Sequence, residues 1–301
     1  MDRTPLFRSR RRVSSDTVMP NILFALAAIS ILTTAGIVFV LLEESLRFFR
    51  KVPFLEFITG TKWTPLFSDP QYGVLPLVTG TLVVTAIAGA VALPLGLGSA
   101  IYLSEYAPRR VRAVLKPLLE ILAGIPTIVY GFFALTFVTP LIQAVLPQTK
   151  VFNALSAGIV VGIMIVPMIS SLSEDAMSAV PDRLRSAAYA LGATKLEVAL
   201  QVVVPAAFSG IAASFVLGIS RAVGETMIVT LAAGALPTMS INPLGSVQTL
   251  TAYIVSVASG DTTIGSAAYL TMYSVGFVLF AMTLAMNLVA RYISRKFREE
   301  Y

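Results

Sequence analysis

Residues 181–205 read Pro181-Asp182-Arg183-Leu184-Arg185-Ser186-Ala187-Ala188-Tyr189-Ala190-Leu191-Gly192-Ala193-Thr194, then Lys195 to Val204, and close on Pro205. Asp suits a helix cap and Pro a first turn, so the spacing predicts a short helix starting near Pro181 and Asp182. Small residues at Ala187, Ala188 and Gly192 leave a face that another protein's groove can approach closely. Gly192 breaks the helix, and a second short amphipathic helix leads to Pro205. The residues alone leave two readings open: an elbow that lies on a bilayer, or one that docks on another protein.

The stretches on either side decide the fold class. Apolar segments flank the elbow at 154–172 and 206–235, and four more run at 19–42, 74–103, 118–146 and 264–290. Each reaches the roughly 20 residues that a helix needs to cross a hydrocarbon core about 30 Å thick. Of 301 residues 56% are apolar and 13% charged, against roughly 25% charged in a soluble domain. The expectation is an all-α integral membrane protein of about six transmembrane helices. It divides into a basic tail (1–18), a first span (19–42), an external interfacial segment (43–73), a core of five spans (74–290) containing the loop 173–205, and a second basic tail (291–301). Gly89, Pro94, Gly96 and Gly98, and Gly124, Pro126 and Gly131, predict kinks or re-entrant ends in the second and third segments. The first segment reads as a retained helix, because its apolar run exceeds the 7–15 residues of a signal h-region and no A-x-A-like site follows. Val52 to Ile58, Trp63 and Pro65 mix aromatic residues with charge, as suits the outer interface.

Basic residues alternate from loop to loop. The tail 1–18, the loops 104–117 and 173–205 and the tail 291–301 carry 16 Lys and Arg, whereas loops 43–73, 147–153 and 236–263 carry 5. That is the positive-inside pattern, with both termini cytoplasmic and an even number of spans. The formal charge of +6 is therefore topological, and a nucleic-acid partner is excluded in favour of membrane lipid. Cys and His are absent, which excludes disulfides, the usual Zn and Fe ligand sets and His-based acid–base chemistry. No metal or cofactor is expected. Gly158 and Gly162 fit a close helix contact, and Glu174-Asp175 reads as a solvated helix end.

Arg221 and Glu225 stand inside the fifth segment, in Gly218-Ile219-Ser220-Arg221-Ala222-Val223-Gly224-Glu225-Thr226-Met227. A charge at mid-membrane costs roughly 2.5–3.5 kcal/mol, and an exposed i,i+4 pair returns only about 0.2–0.5 kcal/mol. The pair cannot face lipid. A buried ion pair that fixes helix packing is one reading. A polar pathway is favoured, in which Arg offers a rigid fork of donors to phosphate oxygens and Glu225 holds Arg221 in place.

The elbow resembles the EAA loop of ABC-importer permeases: Ser186-Ala187-Ala188, Gly192 and Pro205 match its pattern, with Ser186 in place of the first Glu. The resemblance implies a type I permease with a cytoplasmic coupling helix that docks on an ATPase subunit through Arg185, Ser186, Ala187, Ala188, Leu191, Gly192, Ala193 and Thr194; the change at Ser186 removes the ionic contact there. Arg-Ala-x-Gly-Glu-Thr-Met is similar to the signature of phosphate-specific transport permeases, although sulfate and molybdate permeases carry a similar Arg-x-x-Gly-Glu. Leu122 to Phe133 resembles their third-span signature. Phe54, Leu55, Phe57, Trp63 and Pro65, with Gly96 to Glu105, resemble the PstC member of the pair rather than PstA. The implied activity is import of inorganic phosphate. The implied partners are a PstA-like permease, two ATPase subunits and an extracytoplasmic phosphate-binding protein. The candidate pathway residues are Arg221, Glu225, Thr226, Thr127 and Tyr130; the last two hydroxyls serve equally as interhelical hydrogen bonds. A Walker A loop needs Gly-Lys, and the chain has no such dipeptide. This is therefore read as a transport subunit and not an enzyme. A secondary transporter with Glu225 as proton site would show inverted repeats, which are not detected. A membrane enzyme would need a nucleophile, base or metal constellation.

Overall fold

Residues 13–296 are described by the computed structural model. The expected basic tails fall partly outside them, at residues 1–12 and 297–301. Helix α1 (Val13–Phe49) is one long apolar rod whose most hydrophobic window has no buried residue; Leu23, Phe24, Leu32 and Phe39 project freely. Such a surface suits a hydrocarbon solvent. After a short α2 (Phe54–Thr59), α3 (Leu75–Ile101) crosses back and ends in a π-helical turn, Tyr102–Tyr106.

The third apolar segment is not one helix. Helix α4 (Arg109–Gly124) is amphipathic, carries Arg109, Arg110, Arg112 and Lys116, and has no buried residue. Pro126 forces Ile125 into an extended conformation (φ −66°, ψ 130°) by clashing with the preceding backbone, and the chain turns. The span proper is Thr127–Val145, built from α5 (Thr127–Phe133), a π turn (Ala134–Val138) and α6 (Thr139–Val145). Residues 118–124, expected in the membrane, belong to the amphipathic helix.

Helix α7 (Ala154–Ser178) is the axis of the bundle. Its small-residue stripe lies against α3: a Cβ at Gly158 would come within 2.6 Å of Ile87 Cβ, and one at Gly162 within 2.9 Å of the Ala88 carbonyl. Close approach of the two backbones is thus what these glycines provide. Val84, Ala88, Val160, Val161, Ile165 and Ile169 form the dry centre of the contact.

After α8 (Asp182–Ala190), α9 (Lys195–Glu197), a π turn (Val198–Val203) and α10 (Val204–Ala206), the chain enters α11 (Phe208–Val223) through a bend of 74°. Among the described residues five helices are long and apolar enough to span, and there are six if the bent pair is counted as one span. The short α12 (Met227–Ala232) and α13 (Leu250–Ala258) precede the last span, α14 (Ala267–Lys296). Irregular backbone between α12 and α13 is satisfied by the start of α7, through Ala154 N–H to Gly245 O (3.1 Å) and Leu155 N–H to Pro243 O (2.8 Å). Unpaired backbone at this depth would cost several kcal/mol per group.

At the end away from the basic loops, aromatic rings pack rather than lie on the interface. Phe57 and Trp63 are buried, and Trp63 meets Tyr253 edge-on with centroids 4.9 Å apart. A bridge between Trp63 and Tyr72 holds this cap. Phe54 and Leu55 keep the exposed position expected of the whole segment. Glu174, expected as a solvated helix end, is instead fully buried. It accepts from Arg112 and from Lys116 Nζ (2.8 Å), and so clamps α4 onto α7. Two cations arriving from α4, a helix not legible as a separate element, neutralise a carboxylate that would otherwise be exposed.

Candidate functional site

The chain leaves helical geometry between α11 and α12, at Gly224-Glu225-Thr226. Glu225 is 8% exposed. Its Oε1 accepts the N–H groups of Met227 (3.1 Å) and Ile228 (3.3 Å), so the carboxylate satisfies donors that the start of α12 leaves free. The Thr251 hydroxyl donates to the Glu225 carbonyl (2.6 Å), tying the break to α13. The expected i,i+4 pairing with Arg221 does not form. The i,i+4 rule holds along a continuous helix, and here the helix stops in between.

Arg221 is left exposed in the last turn of α11, with no ion pair or hydrogen bond among the described residues. It opens on a cavity of about 230 Å³ between α4, α7 and α11, whose polar wall includes Lys116, Glu120, Ser171 and Glu174. Lys116 and Glu174 are already committed to each other. Of the other pathway candidates, Thr226 is half-buried and donates to Gly224 O (3.2 Å), and Thr127 opens α5, also half-buried. Tyr130 is buried and donates to Leu122 O (2.8 Å), holding the turn at Pro126. Its hydroxyl is used structurally, the second of the two roles open to it.

The elbow is a second site. Helix α8 ends in a Schellman motif: Ala193 N–H donates to Ala188 O (3.1 Å) and Gly192 N–H to Tyr189 O (3.0 Å). Gly192 has φ +86°, a conformation in which a Cβ is strained. Thr194 and Glu197 then form a capping box for α9. Ser186, Ala187, Leu191, Gly192 and Thr194 are exposed, with Leu191 at 90%, while Ala188 and Ala193 are half-buried. Arg185 departs from expectation. Its guanidinium turns inward to Glu105 (3.0 Å), Met177 O (2.8 Å) and Val180 O (2.5 Å), so it anchors the elbow to the π-helical end of α3 instead of facing outward. Glu105 was not singled out from the sequence; the available signal was an acidic residue closing an apolar run that ends beside a basic loop.

A polytopic bundle with a broken charged span and an exposed, rigidly capped elbow at its basic end defines a membrane transport permease. The chain belongs to the family described as binding-protein-dependent transport system inner membrane component, whose model matches residues 92–299. It is 38% identical over 294 residues to the probable ABC transporter permease protein YqgH of Bacillus subtilis, covering 97% of this chain and 95% of that one. It is 35% identical to the phosphate transport system permease protein PstC of Xylella fastidiosa, over 79% of this chain and 78% of that one. It is also 35% identical to PstC 1 of Mycobacterium tuberculosis, over 80% and 82%. Among solved structures, a bacterial ABC transporter involved in the import of alginate shares the fold, with TM-score 0.64 and 15% identity over 96% of this chain and 100% of that one. The MetNI methionine ABC transporter matches at TM-score 0.55 and 16% identity, over 75% and 95%. The fold is therefore that of an ABC-importer permease.

Proposed function

We propose that this chain is the PstC-like permease subunit of an ATP-driven importer that carries inorganic phosphate across the bacterial inner membrane, with both termini cytoplasmic. The observation that carries this reading is Arg221. Arg112, Lys116 and Arg185 are each paired with acidic groups, whereas Arg221, at the break of the fifth span, makes no ion pair among the described residues. A guanidinium left exposed within a membrane span costs free energy unless water and an anion reach it, and its planar donors match phosphate oxygens. The similarity to phosphate permeases over most of the chain supports phosphate over sulfate or molybdate. In this reading Glu225 fixes the break that presents Arg221, and Thr226 and Thr127 stand beside the path.

The remaining parts follow from the permease class. A PstA-like permease completes the pore, and an extracytoplasmic phosphate-binding protein delivers the anion to its outer mouth. Two ATPase subunits hydrolyse ATP, and one of them grips the exposed face of the elbow at Ser186, Ala187, Leu191 and Gly192. Their closure moves α8, and the bundle changes the side to which it opens. The test is uptake of labelled phosphate in cells lacking the native protein, with sulfate and molybdate as competitors. Arg221→Gln is expected to abolish uptake while the complex still assembles. Normal uptake by that variant removes Arg221 from the path, and equal competition by sulfate removes phosphate as the preferred cargo.

A further inference from the structure

At the basic end of the bundle, α11 and α14 diverge and leave a groove of about 600 Å³. Its floor is apolar, formed by Leu217 of α11 and Leu284 and Leu288 of α14; its far end carries Asn287, Arg291 and Arg295. The α14 residues recur every three or four positions, so they form one stripe on one helix face. The leucines are between 43% and 56% exposed. Among the described residues neither arginine makes an ion pair or hydrogen bond, and none of those lining the groove is acidic.

Depth along α14 says what this stripe fits. Helix α14 carries no charged residue before Arg291, and then Arg291, Arg295 and Lys296 follow within its last six described residues. Leu284 and Leu288 therefore lie on the hydrocarbon side of that change in composition, and Arg291 and Arg295 lie where headgroups take over. Helix-dipole stabilisation accounts for cations in a final turn, and Arg295 with Lys296 occupies the last described turn. Arg291 lies more than a turn further in and gains little from that effect. An acidic peptide would match the arginines but would leave the leucine floor uncovered. A free anion would do the same.

We propose that this groove is a binding site for one anionic phospholipid of the leaflet at the basic end. The headgroup phosphate is held by Arg291 and Arg295, and an acyl chain lies against Leu217, Leu284 and Leu288. Fixed in this way, the lipid joins the outer helix α14 to α11, the helix that carries Arg221, and makes the transporter sensitive to membrane charge. The site is independent of which anion is transported.

The experiment uses the complete transporter in phosphatidylcholine nanodiscs, with a photoreactive phosphatidylglycerol as probe and cross-linked peptides mapped by mass spectrometry. Cross-links are expected on α14 near Leu284–Arg291 and on α11 near Leu217. Unlabelled phosphatidylglycerol should compete them away, whereas phosphatidylcholine and inorganic phosphate should not. The double variant Arg291→Gln/Arg295→Gln is expected to lower labelling by roughly tenfold or more, the scale of two surface cations attracted to anionic lipid. Equal competition by phosphatidylcholine, displacement by inorganic phosphate, or protection of the groove by a neighbouring subunit would each overturn the proposal. If the double variant does not accumulate, the competition on the native protein decides the matter.

Discussion

At the scale of single residues, the break in the fifth span assigns different work to two charges that look like a pair. Arg221 has no partner among the described residues, and Glu225 is consumed by the N–H groups of Met227 and Ile228. This separates two variants. Glu225→Gln keeps an acceptor oxygen and should retain most of the cap, whereas Glu225→Ala leaves two donors unsatisfied and should cost roughly 1–2 kcal/mol. Thermal unfolding of the detergent-solubilised complex reads the difference, with Ala clearly below Gln. If both variants abolish uptake equally and leave stability unchanged, Glu225 acts as the counter-ion of Arg221 and the cap is incidental.

At the scale of elements, the elbow is rigid for identifiable reasons. Gly192 supplies the left-handed turn, the Thr194–Glu197 box starts the next helix, and Arg185 ties α8 to α3 through Glu105. Gly192→Val places a β-branched residue at φ +86°, at a cost of about 1–3 kcal/mol; Gly192→Asn, which tolerates that region, should be milder. The readout is phosphate carried per ATP hydrolysed, which is expected to fall for Val and hold for Asn. Glu105→Gln leaves the outer face of the elbow untouched and removes the charge that holds Arg185. The ATPase subunit should still co-purify while coupling drops. Loss of co-purification in Glu105→Gln would instead make the strut part of the docking surface.

At the scale of the whole molecule, α7 and α3 form the member around which the other spans are arranged. The contact depends on two missing side chains, since a Cβ at Gly158 or Gly162 would overlap α3 backbone and side chains. Gly162→Leu should force the pair apart at a cost of about 1–3 kcal/mol, the range for overpacking a close contact, and lower the yield of folded complex. Normal yield and melting temperature in that variant would show that the helices re-pack freely. On the outside, α4 is clamped by Arg112 and Lys116 on the buried Glu174. The adjoining Glu174 and Asp175 carboxylates hold the Lys116 ammonium above the usual lysine range. A raised lysine pKa contributes stability at every pH below the ordinary value and loses it only as the pH climbs through the raised one, so this clamp does not loosen near neutrality.

The apolar segments, the alternation of basic loops, the short helix ending at Gly192 and a close helix contact at Gly158 and Gly162 were legible in the sequence; that α3 is the helix contacted was not. Each rests on local quantities: hydrocarbon thickness, the cost of charge in lipid, a positive φ, a missing Cβ. What the fold alone decided is the destination of charged side chains. Glu225 turned to a helix start, Arg185 to Glu105, and Glu174 to α4, because a charge takes its partner from whatever packing brings near. Spacing along the chain predicts such partners only while the helix runs on, and at Pro126 and Gly224 it does not.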